Sequence, residues 1–154
     1  MTSPTQIAFP PQRIQRRRVR GWRLPAGARI VDRTTRFGNP FTIADAEAEG
    51  CTYPQLACVE LHAAWLDGEG PSVYVVKGRR FDRNWVLAHL SELRGLDLAC
   101  PCPPGTPCHA DTLIARSNRP ARKPQSHGTG PKPYAWPARG FTPLVDVTPI
   151  GGLL

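Results

Sequence analysis

Leu96-Asp97-Leu98-Ala99-Cys100-Pro101-Cys102-Pro103-Pro104-Gly105-Thr106-Pro107-Cys108-His109-Ala110-Asp111-Thr112-Leu113-Ile114 is the stretch that decides the fold. Leu96 to Cys100 is short and apolar, as a buried strand is. The proline-rich loop cannot continue a ladder, and from Cys108 or His109 onward the pattern turns helical, with Leu113 and Ile114 together. A buried strand followed at once by a helix is the unit of which parallel sheets are made, because parallel neighbours need a crossover.

Working outward, the same alternation repeats. Asp82 or Asn84 can cap a helix whose Val86, Leu87, Leu90 and Leu93 recur at helical spacing and which stops at Gly95. Ser72 to Val76 is a compact β-branched strand. A further helix is predicted from Tyr53 to Leu66, with Pro54 in its first turn and Gly68 and Gly70 beyond its end. Arg29 to Arg33 reads as a strand that runs into a Gly38-Asn39-Pro40-Phe41 turn. The expected fold class is α/β: a small, three-layer, Rossmann-like domain with a short, mostly parallel sheet and irregular basic N- and C-terminal extensions. The predicted boundaries are an irregular arm over residues 1–11, one α/β domain over 12–118 and a Pro/Gly-rich tail over 119–154. The tail's seven Pro and five Gly make up a third of its 36 residues, so it has no core of its own, although Tyr134, Trp136 and Phe141 give it a means of lying across the domain.

The chain of 154 residues carries a net charge of +8, and the charge is blocked. Residues 1–36 hold nine Arg against Asp32, a net of +8; residues 37–115 hold five basic and ten acidic groups, a net of −5; residues 116–154 return to +5. Basic blocks around an acidic body point to a polyanionic partner, either nucleic acid or a nucleotide. No apolar run reaches the roughly 18 to 20 residues of a membrane span, and the N-terminus has no signal-peptide pattern, so no membrane partner and a cytoplasmic location are expected.

Three constellations could carry chemistry. In the first, Cys100 and Cys102 point to one side of a strand end, while Cys108 and His109 open a helix whose free amides and dipole favour an anion. Three readings fit it. Cys100, Cys102, Cys108 and either His109 or Asp111 could ligate zinc, although Cys-x-Cys is a less usual spacing and adjacent Cys108 and His109 do not easily reach one ion. Cys102, Cys108, His109 and Asp111 could form a catalytic group with Cys108 as a thiolate. Alternatively the thiols are buried and Cys108 caps the helix with Asp111. A disulfide suits neither the odd count of five Cys nor the expected compartment.

The second constellation is the loop after the first strand, where Arg33, Arg36, Gly38 and Asn39 could offer charge, backbone N–H groups and an amide to a base or phosphate. Its alternative is a tight turn pinned by Phe37 and Phe41. The third is Arg16, Arg17, Arg18, Arg20, Trp22 and Arg23, suited to phosphate contact with Trp22 stacking on a base, or else to neutralising the acidic body. Cys58 and His62 at helical i, i+4 spacing, His89 after Trp85, and Cys51 lack a second ligand pair and read as face or loop residues.

The Arg-rich start, the Phe37-Gly38-Asn39-Pro40-Phe41 turn, Leu93-Arg94-Gly95-Leu96-Asp97-Leu98-Ala99-Cys100 with Cys102, and Cys108-His109-Ala110-Asp111 together resemble the small phage and bacterial family called domain of unknown function 4326. Arg16-Arg17-Arg18, Arg20-Gly21-Trp22-Arg23 and Pro25 further resemble an actinobacterial or actinophage branch of it. Pro101 stands where that family often has an aromatic residue and Ala110 where it often has Gly; neither change removes a candidate functional side chain. The resemblance, over about residues 12–118, implies a common site but no reaction. The function expected from the residues is binding of a nucleotide or nucleic-acid base at a Cys/His site, with zinc as the candidate cofactor and modification of the base as a further step. The alternative is a non-enzymatic nucleic-acid-binding accessory protein with structural cysteines.

Overall fold

The structure is a computed structural model that describes residues 9–120 and the pair 142–143. Most of the arm over 1–11 and nearly all of the tail, including Tyr134, Trp136 and Phe141, lie outside the described residues. In chain order the elements are β1 (Arg13–Gln15), β2 (Ala28–Ile30), α1 (Ile43–Ala48), α2 (Pro54–Leu66), β3 (Val73–Val76), β4 (Arg79–Asp82), α3 (Arg83–His89) with a 3₁₀ turn over Leu90–Leu93, β5 (Asp97–Cys100), α4 (His109–Ser117) and the two-residue β6 (Thr142–Pro143).

The chain is α/β, with a three-stranded parallel sheet in the order β1-β5-β2. β5 is central because Leu98 and Ala99 are wholly buried and tolerate cover on both faces. Arg13 pairs with Leu98, Ala28 with Asp97 and Ile30 with Ala99. β1 and β2 both run parallel to β5, so residues 16–27 must carry the chain from the far end of one edge back to the start of the other. That crossover is the Arg-rich segment.

The strand expected at Ser72–Val76 forms over Val73–Val76 but belongs to a second, antiparallel sheet with β4 on one side and β6 on the other. Its chain reverses at Lys77 and Gly78, both at positive φ (49° and 75°), which is the geometry a two-residue hairpin demands. The predicted Arg29–Arg33 strand is shorter, Ala28–Ile30, because the chain turns outward at Asp32.

The core joins the two sheets to the helices. Phe37, Phe41, Trp65, Tyr74, Phe81, Leu93, Leu98 and Leu113 are buried in one cluster. Phe41 meets Tyr74 edge-on at 5.3 Å, tying the loop after β2 to the hairpin. Trp65 donates its indole N–H to the Pro71 carbonyl at 2.8 Å, which satisfies the one polar atom of a side chain otherwise wholly enclosed. Arg83 donates to the carbonyls of Trp65 and Glu69 and so closes the C-terminal end of α2.

Candidate functional site

The carboxyl ends of the three parallel strands meet at one rim, where ligands of open parallel sheets gather. Pairing continues just past the strands: Arg16 N–H donates to the Cys100 carbonyl at 2.9 Å, and Val31 N–H to the Ala99 carbonyl at 3.0 Å. β5 therefore delivers Cys100 and Cys102 to the rim, and the loop back to α4 returns Cys108 beside them. Gln55 of α2 holds that loop by donating to the Pro107 carbonyl at 2.8 Å and to the Thr106 hydroxyl at 3.2 Å.

The sulfur atoms of Cys100, Cys102 and Cys108 all lie within 4.8 Å of one another, and those of Cys100 and Cys102 are 3.7 Å apart. A tetrahedral zinc with bonds of about 2.3 Å sets its sulfurs roughly 3.8 Å apart, so the three cysteines could hold a metal ion. Among the described residues this is the one cluster of its kind. His109 is not part of it. Its Nε2 lies 2.7 Å from the Val31 carbonyl oxygen, which can only accept, so Nε2 carries the proton. In the neutral ring Nδ1 then holds a lone pair, 4.0 Å from the Cys108 sulfur.

The thiols share charge unequally. Hydrogen bonds from Cys100 and Cys102 pull Cys108 far below the ordinary thiol range against the effect of burial. Cys100 is pushed up, first by its hydrogen bonds to Cys102 and Cys108 and then by burial. Cys102 is also raised: its hydrogen bond with Cys100 works the other way and is outweighed by Cys108 and burial. Negative charge in the cluster is thus favoured on Cys108 over Cys100 and Cys102. Cys108 occupies the N-cap position of α4, yet its sulfur makes no capping bond.

In the loop after β2 the polar side chains bond to the chain itself. Arg33 donates to the carbonyls of Asn39 (3.0 Å) and Phe41 (2.8 Å), and the Asn39 amide bridges the Cys58 carbonyl and the Phe41 N–H, both at 2.9 Å. These polar groups hold the turn. Gly38 is required by close approach, but to the chain itself: a Cβ there would lie 2.6 Å from Arg33 Cα and 2.8 Å from the Asp32 carbonyl oxygen. Arg36 turns away and covers the Trp85 ring at 4.0 Å.

In the Arg-rich crossover, Arg16 is committed to Asp32. Burial raises the Asp32 carboxyl, but hydrogen bonds from Thr34 and Arg16 outweigh it and hold the group below its ordinary value. Arg17, Arg18, Arg20 and Arg23 are exposed, Trp22 is half-buried, and none of these four arginines is paired with a carboxylate among the described residues.

Two clefts flank the cysteines. The first, about 270 Å³, is walled by Arg18, Arg33 and Asn39 on one side and by Cys102, Cys108 and His109 on the other. The two loops expected to share a rim do so. The second, about 490 Å³, is lined by Gln12, Arg13, Gln15, Cys102 and Asp111. Asp111 therefore shares the second cleft with Cys102, whereas Cys108 and His109 line the first. Its carboxyl is raised by burial, with Arg13 opposing and Cys108 adding to the effect.

Sequence reading missed the part that Arg13, Asp32 and Gln55 play at the site. Their partners are distant in sequence, and the one local signal was an acid, Asp32, alone among nine arginines.

Neither the curated proteins nor the solved structures contain a match to this chain. The family model described as Domain of unknown function (DUF4326) matches residues 14–119, a span that runs from β1 through α4 and takes in both loops, all three clustered cysteines and His109. The chain belongs to that family.

Proposed function

We propose that the protein binds a nucleotide or nucleic-acid base in the first cleft and that Cys100, Cys102 and Cys108 hold a zinc ion at its wall. The observation that carries the reading is the mutual approach of the three sulfurs beside a 270 Å³ cleft whose other wall includes Arg18 and Arg33. Zinc held by the three cysteines would supply a Lewis acid or an activated water for modification of the base. Arg18, exposed and without a carboxylate partner, supplies positive charge for a phosphate. His109 is fixed by its Nε2–H bond to Val31 with Nδ1 turned to Cys108.

Elemental analysis of protein purified without chelator tests the metal. Stoichiometric zinc, lost in Cys108→Ser, is expected, and reduced protein free of metal overturns the reading. Calorimetric titration with the nucleoside monophosphates and with short single-stranded DNA and RNA tests the ligand. Binding weakened in Arg18→Gln is expected; no binding of any of these overturns the nucleotide assignment.

A second reading, an accessory nucleic-acid-binding protein with structural cysteines, draws support from the near-complete burial of Cys100 and Cys108, which are 4% and 2% exposed. Chelation separates the two. Unfolding on metal removal favours the structural role, whereas a kept fold with lost activity favours the catalytic one.

A further inference from the structure

Arg13 sits in β1, opposite Leu98 of β5, and its side chain is only 12% exposed. Its Nε lies 3.5 Å from an Asp111 carboxylate oxygen, while its buried Nη1 has no hydrogen-bond partner among the described residues. An enclosed guanidinium nitrogen without an acceptor is costly, and Arg cannot shed its charge. The groups that act electrostatically on Arg13 are Asp111 and the thiols of Cys108 and Cys102. Burial disfavours the Arg13 charge, but hydrogen bonding to Cys108 and the attraction of Asp111, Cys108 and Cys102 outweigh it. Arg13 and Cys102 also line the same second cleft, whose lining does not include Arg18.

A divalent ion held by three thiolates leaves one net negative charge, in a place where Cys100 and Cys108 are already enclosed. Asp111, more than half exposed, offers Arg13 only a long and screened pair. We propose that Arg13 is the counter-cation of the cysteine centre: a positioning residue whose Nη1 turns to the metal-bound sulfur of Cys108 and whose charge balances the loaded site. The inference rests on the metal reading given above. It adds that the sheet edge formed by the N-terminal strand is part of the metal centre, although it supplies no ligand.

The test is zinc affinity, measured on the full chain by competition with a chromophoric chelator, for wild type, Arg13→Lys, Arg13→Gln and Arg13→Met. Loss of an outer partner of a metal ligand weakens affinity by about 10- to 100-fold. That loss is expected for the two neutral variants and a smaller one for Arg13→Lys. Met keeps the unbranched stem, so it serves if Gln disturbs the strand. Cobalt-loaded protein gives a readout that packing alone would not move: the sulfur-to-cobalt charge-transfer band should shift to lower energy in the neutral variants and stay near its place in Arg13→Lys. Wild-type zinc binding with unchanged affinity and an unmoved band in the neutral variants overturns the role of Arg13 and leaves the metal reading standing. A wild type that binds no zinc overturns both.

Discussion

His62 is wholly buried, and neither ring nitrogen has a hydrogen-bond partner among the described residues. Its ring meets His109 edge-on at 5.2 Å and lies 5.9 Å from Trp65. Burial, and then the charges of His109 and Arg116, hold its pKa well below the ordinary histidine value, with Cys108 opposing weakly. The sign follows. In the folded chain His62 stays neutral, while in the unfolded chain it takes up a proton below about pH 6.5, so its share of stability is present above that pH and is lost as the pH falls. The thermal midpoint should therefore drop between pH 7.5 and 5.5. His62→Leu should flatten that dependence, and equal pH profiles for the two proteins would remove the assignment. The i, i+4 spacing of Cys58 and His62 placed both on one face of α2, but spacing carries no information about what covers that face. Here Cys58 is raised to about 11, chiefly by burial, and takes no part in the sulfur cluster. The clustered cysteines were legible because they fall within nine residues of one another in sequence. Arg13, Asp32 and Gln55 were not, because each meets its partner only through the fold.

Among the elements, α3 begins as its sequence suggests. The Asp82 carboxylate accepts from the N–H groups of Asn84 and Trp85, at 3.0 and 3.3 Å, and thus fills the N-cap. Burial raises this carboxyl, but the Trp85 N–H, Arg80 and the Asn84 N–H together outweigh it and lower its pKa. Its contribution is thus present above the ordinary carboxylate pKa and is lost as the pH falls below it. Asp82→Ala should lower stability to denaturant by about 0.5–2 kcal/mol and Asp82→Asn by much less; equal loss in both would mean that charge, not capping, is at work. The helices α2, α3 and α4 were readable from periodicity and caps. The strands β1 and β4 were not. β1 has a single apolar residue, Ile14, and is a strand because β5 offers it an edge. β4 starts with two exposed arginines, and the signal for it was the Lys77-Gly78 reversal rather than any alternation. α1 is six residues long, too short for a periodicity, and is marked only by Thr42, whose hydroxyl caps Asp45 N–H at 3.2 Å.

Across the whole molecule, the positive charge of the N-terminal third is divided between structural and free groups. Arg13, Arg16 and Arg33 are engaged with the fold, whereas Arg17, Arg18, Arg20 and Arg23 project from the crossover. If a nucleic acid binds, its affinity should fall with salt, and replacing the four free arginines by Gln should flatten the slope by about 0.7 for each lost phosphate contact on a single strand. An unchanged slope would place the contacts elsewhere. None of the helices among the described residues is long and apolar enough to cross a membrane. Blocked charge marked the segment over residues 16–27, but it did not distinguish an arm from a connection between two strands that share β5.

Cys102 lines both clefts. One residue is thus common to the linings of two clefts, so the occupancy of one is a boundary condition for the other. If a molecule in either cleft changes the affinity of the other through that residue, thermodynamic linkage requires the reverse effect to be of equal size.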